Sequence, residues 1–140
     1  MKILVINGPN LNMLGKREPE IYGRTSLEDI NTNISSTFPE EEFIFFQSNH
    51  EGEIIDFIQE NYEDAAGALI NPGAFTHYSF AILDAIKSVD IPFVEVHISN
   101  IHQREDFRSK SVTAMGVKGI ISGFGPYGYI LGVSALKNIL

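Results

Sequence analysis

The chain of 140 residues has no cysteine. That excludes disulfides, thiolate nucleophiles and thiol metal sites. It has no apolar run of about 18 residues, so the sequence predicts no membrane span. Its start, Met1-Lys2-Ile3-Leu4, carries no charged leader region or small-residue cleavage site, and a cytoplasmic location is the expectation. Positive charge is scarce: 10 Lys and Arg stand against 18 Asp and Glu, for a net charge of −8. Nonspecific nucleic-acid binding, which needs a basic surface, is thereby disfavoured. An anionic small substrate is not, because a locally positive pocket can exist on an acidic protein. Low-complexity tracts, internal repeats and linkers are also missing, and the length suits one domain spanning 1–140.

What is present is an alternation of short apolar runs and amphipathic stretches. Strands are predicted at Ile3–Asn7, Phe43–Gln47, Gly67–Asn71, Pro92–Val96 and Val117–Ser122. Between them, helices are predicted at Ser26–Phe38, Gly52–Tyr62 and His77–Val89, with a closing helix at Tyr127–Ile139. Leu27, Ile30 and Ile34 recur at helical spacing, as do Ile82, Leu83 and Ile86. Thr25 and Glu28 read as a capping box for the first helix. Strand and helix in alternation mean a parallel sheet covered on both faces, here a five-stranded, flavodoxin-like α/β sandwich with strand order 2-1-3-4-5.

In such sheets, ligands bind beyond the carboxyl ends of the strands. The segments leaving those ends are Asn7-Gly8-Pro9-Asn10, Asn71-Pro72-Gly73 followed by Thr76-His77, Glu95-Val96-His97, and Ser122-Gly123-Phe124-Gly125-Pro126. Polar and glycine-rich residues thus collect on one edge. Each group also has a plainer reading as a turn or connection. Gly123, Gly125 and Gly128 are spaced as G-x-G-x-x-G, but they follow the last strand with no βαβ unit after them, and close backbone packing is the better explanation. Glu95 and His97 alternate along a strand, which places both on one face, where a carboxylate can hold the imidazole in one tautomer. A structural core pair is the competing reading. Arg104 and Arg108 could be plain surface charges. His77, His97 and Glu95 do not make a convincing metal set, and no serine elbow or Walker loop is present.

The stretches NGPNLNMLGKREPEIYG, FFQSNHEGEIID, NPGAFTHYSFAILDAI, EVHISNIHQREDFRSKS and GFGPYGY, in this order over almost the whole chain, resemble the type II 3-dehydroquinate dehydratases of the shikimate pathway. The resemblance implies a flavodoxin-like fold, a homododecamer built from trimers, and no metal or organic cofactor. It implies that Tyr22 is the general base and that Arg17 lowers its pKa. Asn10 would hold a water that stabilises an enolate. His97 would protonate the leaving hydroxyl, oriented by Glu95. Asn71 and the backbone amides of Ile98 and Ser99 would bind the substrate carboxylate, His77 and Arg108 the ring hydroxyls, and Asp84 would reach a neighbouring subunit's site. Tyr78 and Leu83 stand where many members carry Thr and Arg, and Leu83 is expected to make the subunit contact more apolar.

The loop Pro9–Gly23 is too long for an ordinary connection and too polar for core. With Arg17 and Tyr22 near its end and Gly15 and Gly23 as hinges, it reads as a catalytic lid. A flavodoxin-like binding module is the alternative function. It would need a Ser/Thr-rich phosphate loop or a phosphoacceptor Asp after the first strand, and Asn7-Gly8-Pro9-Asn10 offers neither.

Overall fold

The computed structural model describes residues 1–16, 20 and 23–140. Arg17 and Tyr22 lie outside the described residues.

Five strands form one parallel sheet: β1 (Lys2–Asn7), β2 (Glu42–Gln47), β3 (Gly67–Asn71), β4 (Phe93–His97) and β5 (Gly119–Ser122). Their order is β2-β1-β3-β4-β5, as expected, with every pair parallel. The strands read as continuous apolar runs because both faces are covered. Period-2 alternation sends Ile3, Val5, Leu69, Val94 and Val96 to one face. There they meet Ile30 and Ile34 of α1 (Leu27–Thr37) and Val133 and Leu136 of α4 (Tyr127–Ile139). Leu4, Ile6, Ala68, Ile70 and Phe93 point the other way. They meet Ile54 and Ile58 of α2 (Glu51–Asn61) and Ile82 and Ile86 of α3 (Phe80–Lys87). Each fully buried aliphatic side chain contributes roughly 1.5–3 kcal/mol relative to exposure, so these two clusters are the main source of stability.

Two local readings are corrected. The capping box of α1 is Ser26 with Asp29, not Thr25 with Glu28. Ser26 Oγ accepts from the Asp29 amide at 3.0 Å, and Asp29 Oδ2 accepts from the Ser26 amide at 3.1 Å. The first intrahelical bond runs from Ile30 N–H to the Ser26 carbonyl, which makes Ser26 the cap. Likewise α3 starts at Phe80 rather than His77. Ser79 caps it by accepting from the Ile82 amide, and a cap needs the extended backbone seen at Ser79 (φ −85°, ψ 93°). His77 therefore sits on a separate 3-10 turn, Gly73–His77.

Leu83 is buried and packs closely on Gly116, where a Cβ would lie 3.1 Å from Leu83 Cδ1. It shares the buried side of α3 with Ile82 and Ile86.

Candidate active site

The carboxyl ends of β1, β3 and β4 open into a cavity of about 110 Å³. Backbone contact draws these ends together. The Gly8 amide donates to the Asn71 carbonyl at 2.8 Å, and a Cβ on Gly8 would lie 2.3 Å from the Pro72 carbonyl oxygen. No other residue fits there. Asn10, Asn71, His77 and His97 all line the cavity. So do Ile98, Ser99, Arg104 and Arg108. Two arginines and two histidines thus converge on one cleft of an acidic protein, the arrangement expected for an anionic ligand.

On the α2/α3 face of the sheet, Glu95 is fully buried. His97 Nε2–H donates to Glu95 Oε2 at 2.7 Å, as the alternation of the two residues predicts. Three hydroxyls complete the shell: Ser111 and Thr76 donate to Oε2 at 2.8 and 3.1 Å, and Thr113 donates to Oε1. Burial alone would push the Glu95 carboxyl up. The hydrogen bond and charge of His97, with the hydroxyls of Thr113 and Ser111, outweigh it and hold the group below its ordinary value. An ionised Glu95 can only accept, so Nε2 of His97 carries a proton and Nδ1 is the ring atom left for chemistry. Thr76 was singled out only as part of a strand-end segment and Ser111 and Thr113 not at all, since these two lie 16 and 18 residues from Glu95 and no spacing rule joins them to it.

The same segment orients the second histidine. His77 Nδ1–H donates to the Lys110 carbonyl at 2.7 Å, which leaves Nε2 for a ligand. Burial lowers the His77 pKa, the Lys110 carbonyl opposes this, and the Arg108 charge adds to the lowering, so the ring favours the neutral form. The Val112 amide donates to the Thr76 carbonyl at 2.6 Å. Residues 110–113 therefore tie the turn carrying His77 to the strand carrying His97.

Arg104 and Arg108 are not plain surface charges, nor do they share a helix. Arg104 follows the 3-10 turn Ile101–Gln103, and Arg108 ends a second one, Asp106–Arg108. Arg108 Nε donates to Glu105 Oε1 at 3.1 Å, and Arg104 Nη1 reaches Ser99 Oγ at 3.5 Å. The carbonyls of Ile98 and Ser99 are taken by the Gly125 amide and the Ser122 hydroxyl, both at 3.0 Å. Gly123, with φ +101°, stacks its backbone on Asn100, in keeping with close packing rather than a nucleotide loop.

On the α1/α4 face, Asn7 and Asn71 are register partners. Asn71 Oδ1 accepts from the Gly73 amide at 3.1 Å, and its Nδ2–H donates to the Tyr129 hydroxyl at 2.9 Å. Tyr129 O–H in turn donates to Asn7 Oδ1 at 2.6 Å. Burial pushes the Tyr129 phenol above its ordinary value, so it stays protonated.

The expected lid is anchored at its near end. Leu11 and Leu14 are buried in the α1/α4-side core, on and after a 3-10 turn at Leu11–Met13. Asn10 adopts a left-handed backbone (φ 71°), and its amide donates to Asn49 Oδ1 at 2.9 Å. Gly15 and Gly23 both have positive φ. Asp84 is exposed on α3 and does not line the cavity. Among the described residues, no group of three His, Asp or Glu could hold a metal ion. Also among them, no helix is long and apolar enough to cross a membrane.

A family described as dehydroquinase class II matches residues 1–137. A 3-dehydroquinate dehydratase of Clostridium acetobutylicum is 59% identical, covering 100% of this chain and 99% of the relative. The crystal structure of a type II dehydroquinase from Butyrivibrio crossotus superposes with a TM-score of 0.95 at 52% identity, over 98% of this chain and 97% of that one. One from Propionibacterium acnes gives 0.93 at 41% identity, over 98% and 96%.

Proposed function

Because the chain belongs to the dehydroquinase class II family, we propose that it catalyses the anti elimination of water from 3-dehydroquinate to give 3-dehydroshikimate, acting as a hydro-lyase of the shikimate pathway. The observation that carries this reading is the buried Glu95–His97 pair, which opens into the same cavity as His77, Asn71, Arg104 and Arg108.

The reaction begins with loss of the proton alpha to the ketone. Tyr22 takes it as a phenolate. A free phenol has a pKa of about 10, and a neighbouring guanidinium can shift an acid by about 1–3 units, the part assigned to Arg17. The electron pair left behind forms an enolate, whose oxygen is met by a water held on Asn10, following oxyanion-hole logic. Collapse of the enolate expels the hydroxyl. His97 acts as the imidazolium, with both ring nitrogens protonated: it gives that group the proton of Nδ1 and is left neutral, so that the hydroxyl leaves as water, while Glu95 keeps Nε2–H in place. Asn71 and the amides of Ile98 and Ser99 take the substrate carboxylate. His77 and Arg108 take ring hydroxyls. Residues beyond Gly15 close over the substrate and exclude water. No metal or organic cofactor enters this scheme.

The assembly is a homo-oligomer, a dodecamer made of four trimers, without nucleic acid or membrane as partner. Tyr78, Phe80, Phe124 and Tyr127 are each between 58% and 65% exposed in the single chain, and burial against other copies would cover such apolar side chains. Asp84, exposed on the helix that Phe80 begins, would serve a neighbour's cavity.

The test is direct. Purified protein is mixed with 3-dehydroquinate and the conjugated enone absorbance of 3-dehydroshikimate is followed. Absence of that signal from folded, assembled protein overturns the reading.

A further inference from the structure

Tyr129 lies deep in α4, 58 residues from Asn71 and 122 from Asn7, yet its hydroxyl bridges both side chains. The direction of every bond in this chain is determined. Gly73 offers a backbone N–H, so the atom of Asn71 facing it must be the carbonyl oxygen. The Asn71 amide group then faces Tyr129, and the phenol, having accepted one hydrogen, spends its own on Asn7 Oδ1. Flipping Asn71 would set its NH2 against the Gly73 N–H, and flipping Asn7 would leave the phenol hydrogen without its acceptor.

The site is built to bring this hydroxyl here. A Cβ on Gly132, one turn along α4, would lie 2.5 Å from Leu69 Cδ1 and 2.8 Å from Val96 Cγ2. The bare glycine lets α4 settle on β3 and β4, and Tyr129, at 1% exposure, reaches the strand ends beside the cavity. The network spends buried polarity to do so: Asn7 Nδ2 has no partner among the described residues. An unpaired buried donor is costly, and its retention marks the arrangement as one serving more than packing. Asn71 lines the cavity, and its second Nδ2 hydrogen meets no acceptor among the described residues.

We propose that Tyr129 is a positioning residue that, clamped between Asn7 and Asn71, holds the Asn71 amide so that one N–H is presented to the acidic end of the substrate. The inference rests on the reading of Asn71 as a substrate-binding group. Tyr129 touches no substrate itself; it removes the rotational freedom that Asn71 would otherwise lose on binding.

The experiment is a double-mutant cycle on the assembled enzyme with 3-dehydroquinate, reading KM and kcat for the parent, Tyr129→Phe, Asn71→Ala and the pair. Phe keeps the ring and removes only the hydroxyl. Tyr129→Phe is expected to raise KM about fivefold to tenfold with kcat within about twofold, the signature of lost uniform binding. In the Asn71→Ala background the same change should move KM by less than about twofold, because the two act as one unit. Equal effects of Tyr129→Phe in both backgrounds, or an unchanged KM in the first, overturn the proposal. An Asn71→Ala variant with the parent's KM instead overturns the substrate-binding role of Asn71, and the proposal with it. If Tyr129→Phe does not fold, Asn7→Ala releases the clamp from its other end. It should raise KM about twofold to fivefold with kcat held, and an unchanged KM there also overturns the proposal.

Discussion

His97 and Glu95 differ in what each contributes, although they form one pair. His97 opens its free ring nitrogen to the cavity, whereas Glu95 is fully buried and touches only protein. His97→Ala is therefore expected to lower turnover by about 10²–10⁴-fold, and Glu95→Gln by less, since a glutamine oxygen can still accept from Nε2–H. Steady-state kinetics on the two variants checks the order, and a worse Glu95→Gln would give Glu95 a direct role. Tyr22→Phe belongs to the same series, with normal folding and a loss of about 10²–10⁴-fold in turnover. Glu95 also predicts a pH dependence of stability. Its carboxyl is held below the ordinary value of 4.5 in the folded protein. The folded state therefore gains from the ionised group above that value, and the gain disappears as pH falls through the lower folded pKa. Denaturant unfolding at several pH values should show the parent's advantage over Glu95→Gln shrinking below about pH 4.5. An advantage that grows on acidification would mean that the carboxyl is protonated in the native state.

At the scale of elements, α4 carries most of the geometry. Its glycine at 132 faces two fully or almost fully buried side chains, Leu69 and Val96, which have nowhere to move. Gly132→Ala should cost about 1–3 kcal/mol of stability by overpacking, despite the better helix propensity of alanine. Urea denaturation measures it, and a stabilised variant would show that the helix can lift without penalty. The α1 cap makes a smaller prediction. Ser26→Ala removes one half of a capping box and should cost about 1 kcal/mol, while Thr25→Ala should cost almost nothing. Comparing the two variants by thermal melting distinguishes the observed cap from the neighbouring candidate.

At the scale of the whole molecule, the role proposed for the exposed Asp84 predicts that activity depends on assembly. Turnover and mass by light scattering, measured on one dilution series, should fall together as subunits separate. A dilute, fully active monomer would restrict every functional group to its own chain. Asp84→Ala in the intact oligomer should weaken substrate binding by about 1.5–3 kcal/mol, the usual range for a bond to a charged group. Activity should persist in EDTA, and a loss restored by a divalent cation would overturn the cofactor-free mechanism.

Much of this was written in local patterns. The apolar runs, their alternation with amphipathic stretches and the polar residues at the strand ends set the parallel sheet and the edge where the cavity lies. These are properties of neighbours in the chain, where the periods 2 and 3.6 operate. The pairing of Glu95 with His97 was legible for the same reason, since two residues apart on a strand means one face. The start of α3 was not, because Ser79 had to outcompete a continuous helical pattern through a side-chain bond. Thr76, Ser111 and Thr113 around one carboxylate, and Tyr129 across Asn7 and Asn71, exist only once the sheet has closed and the helices have packed. Their partners lie 16 to 122 residues away. Buried hydrogen-bonding capacity must be satisfied by whatever the fold brings near, and only the tertiary structure decides which residues those are.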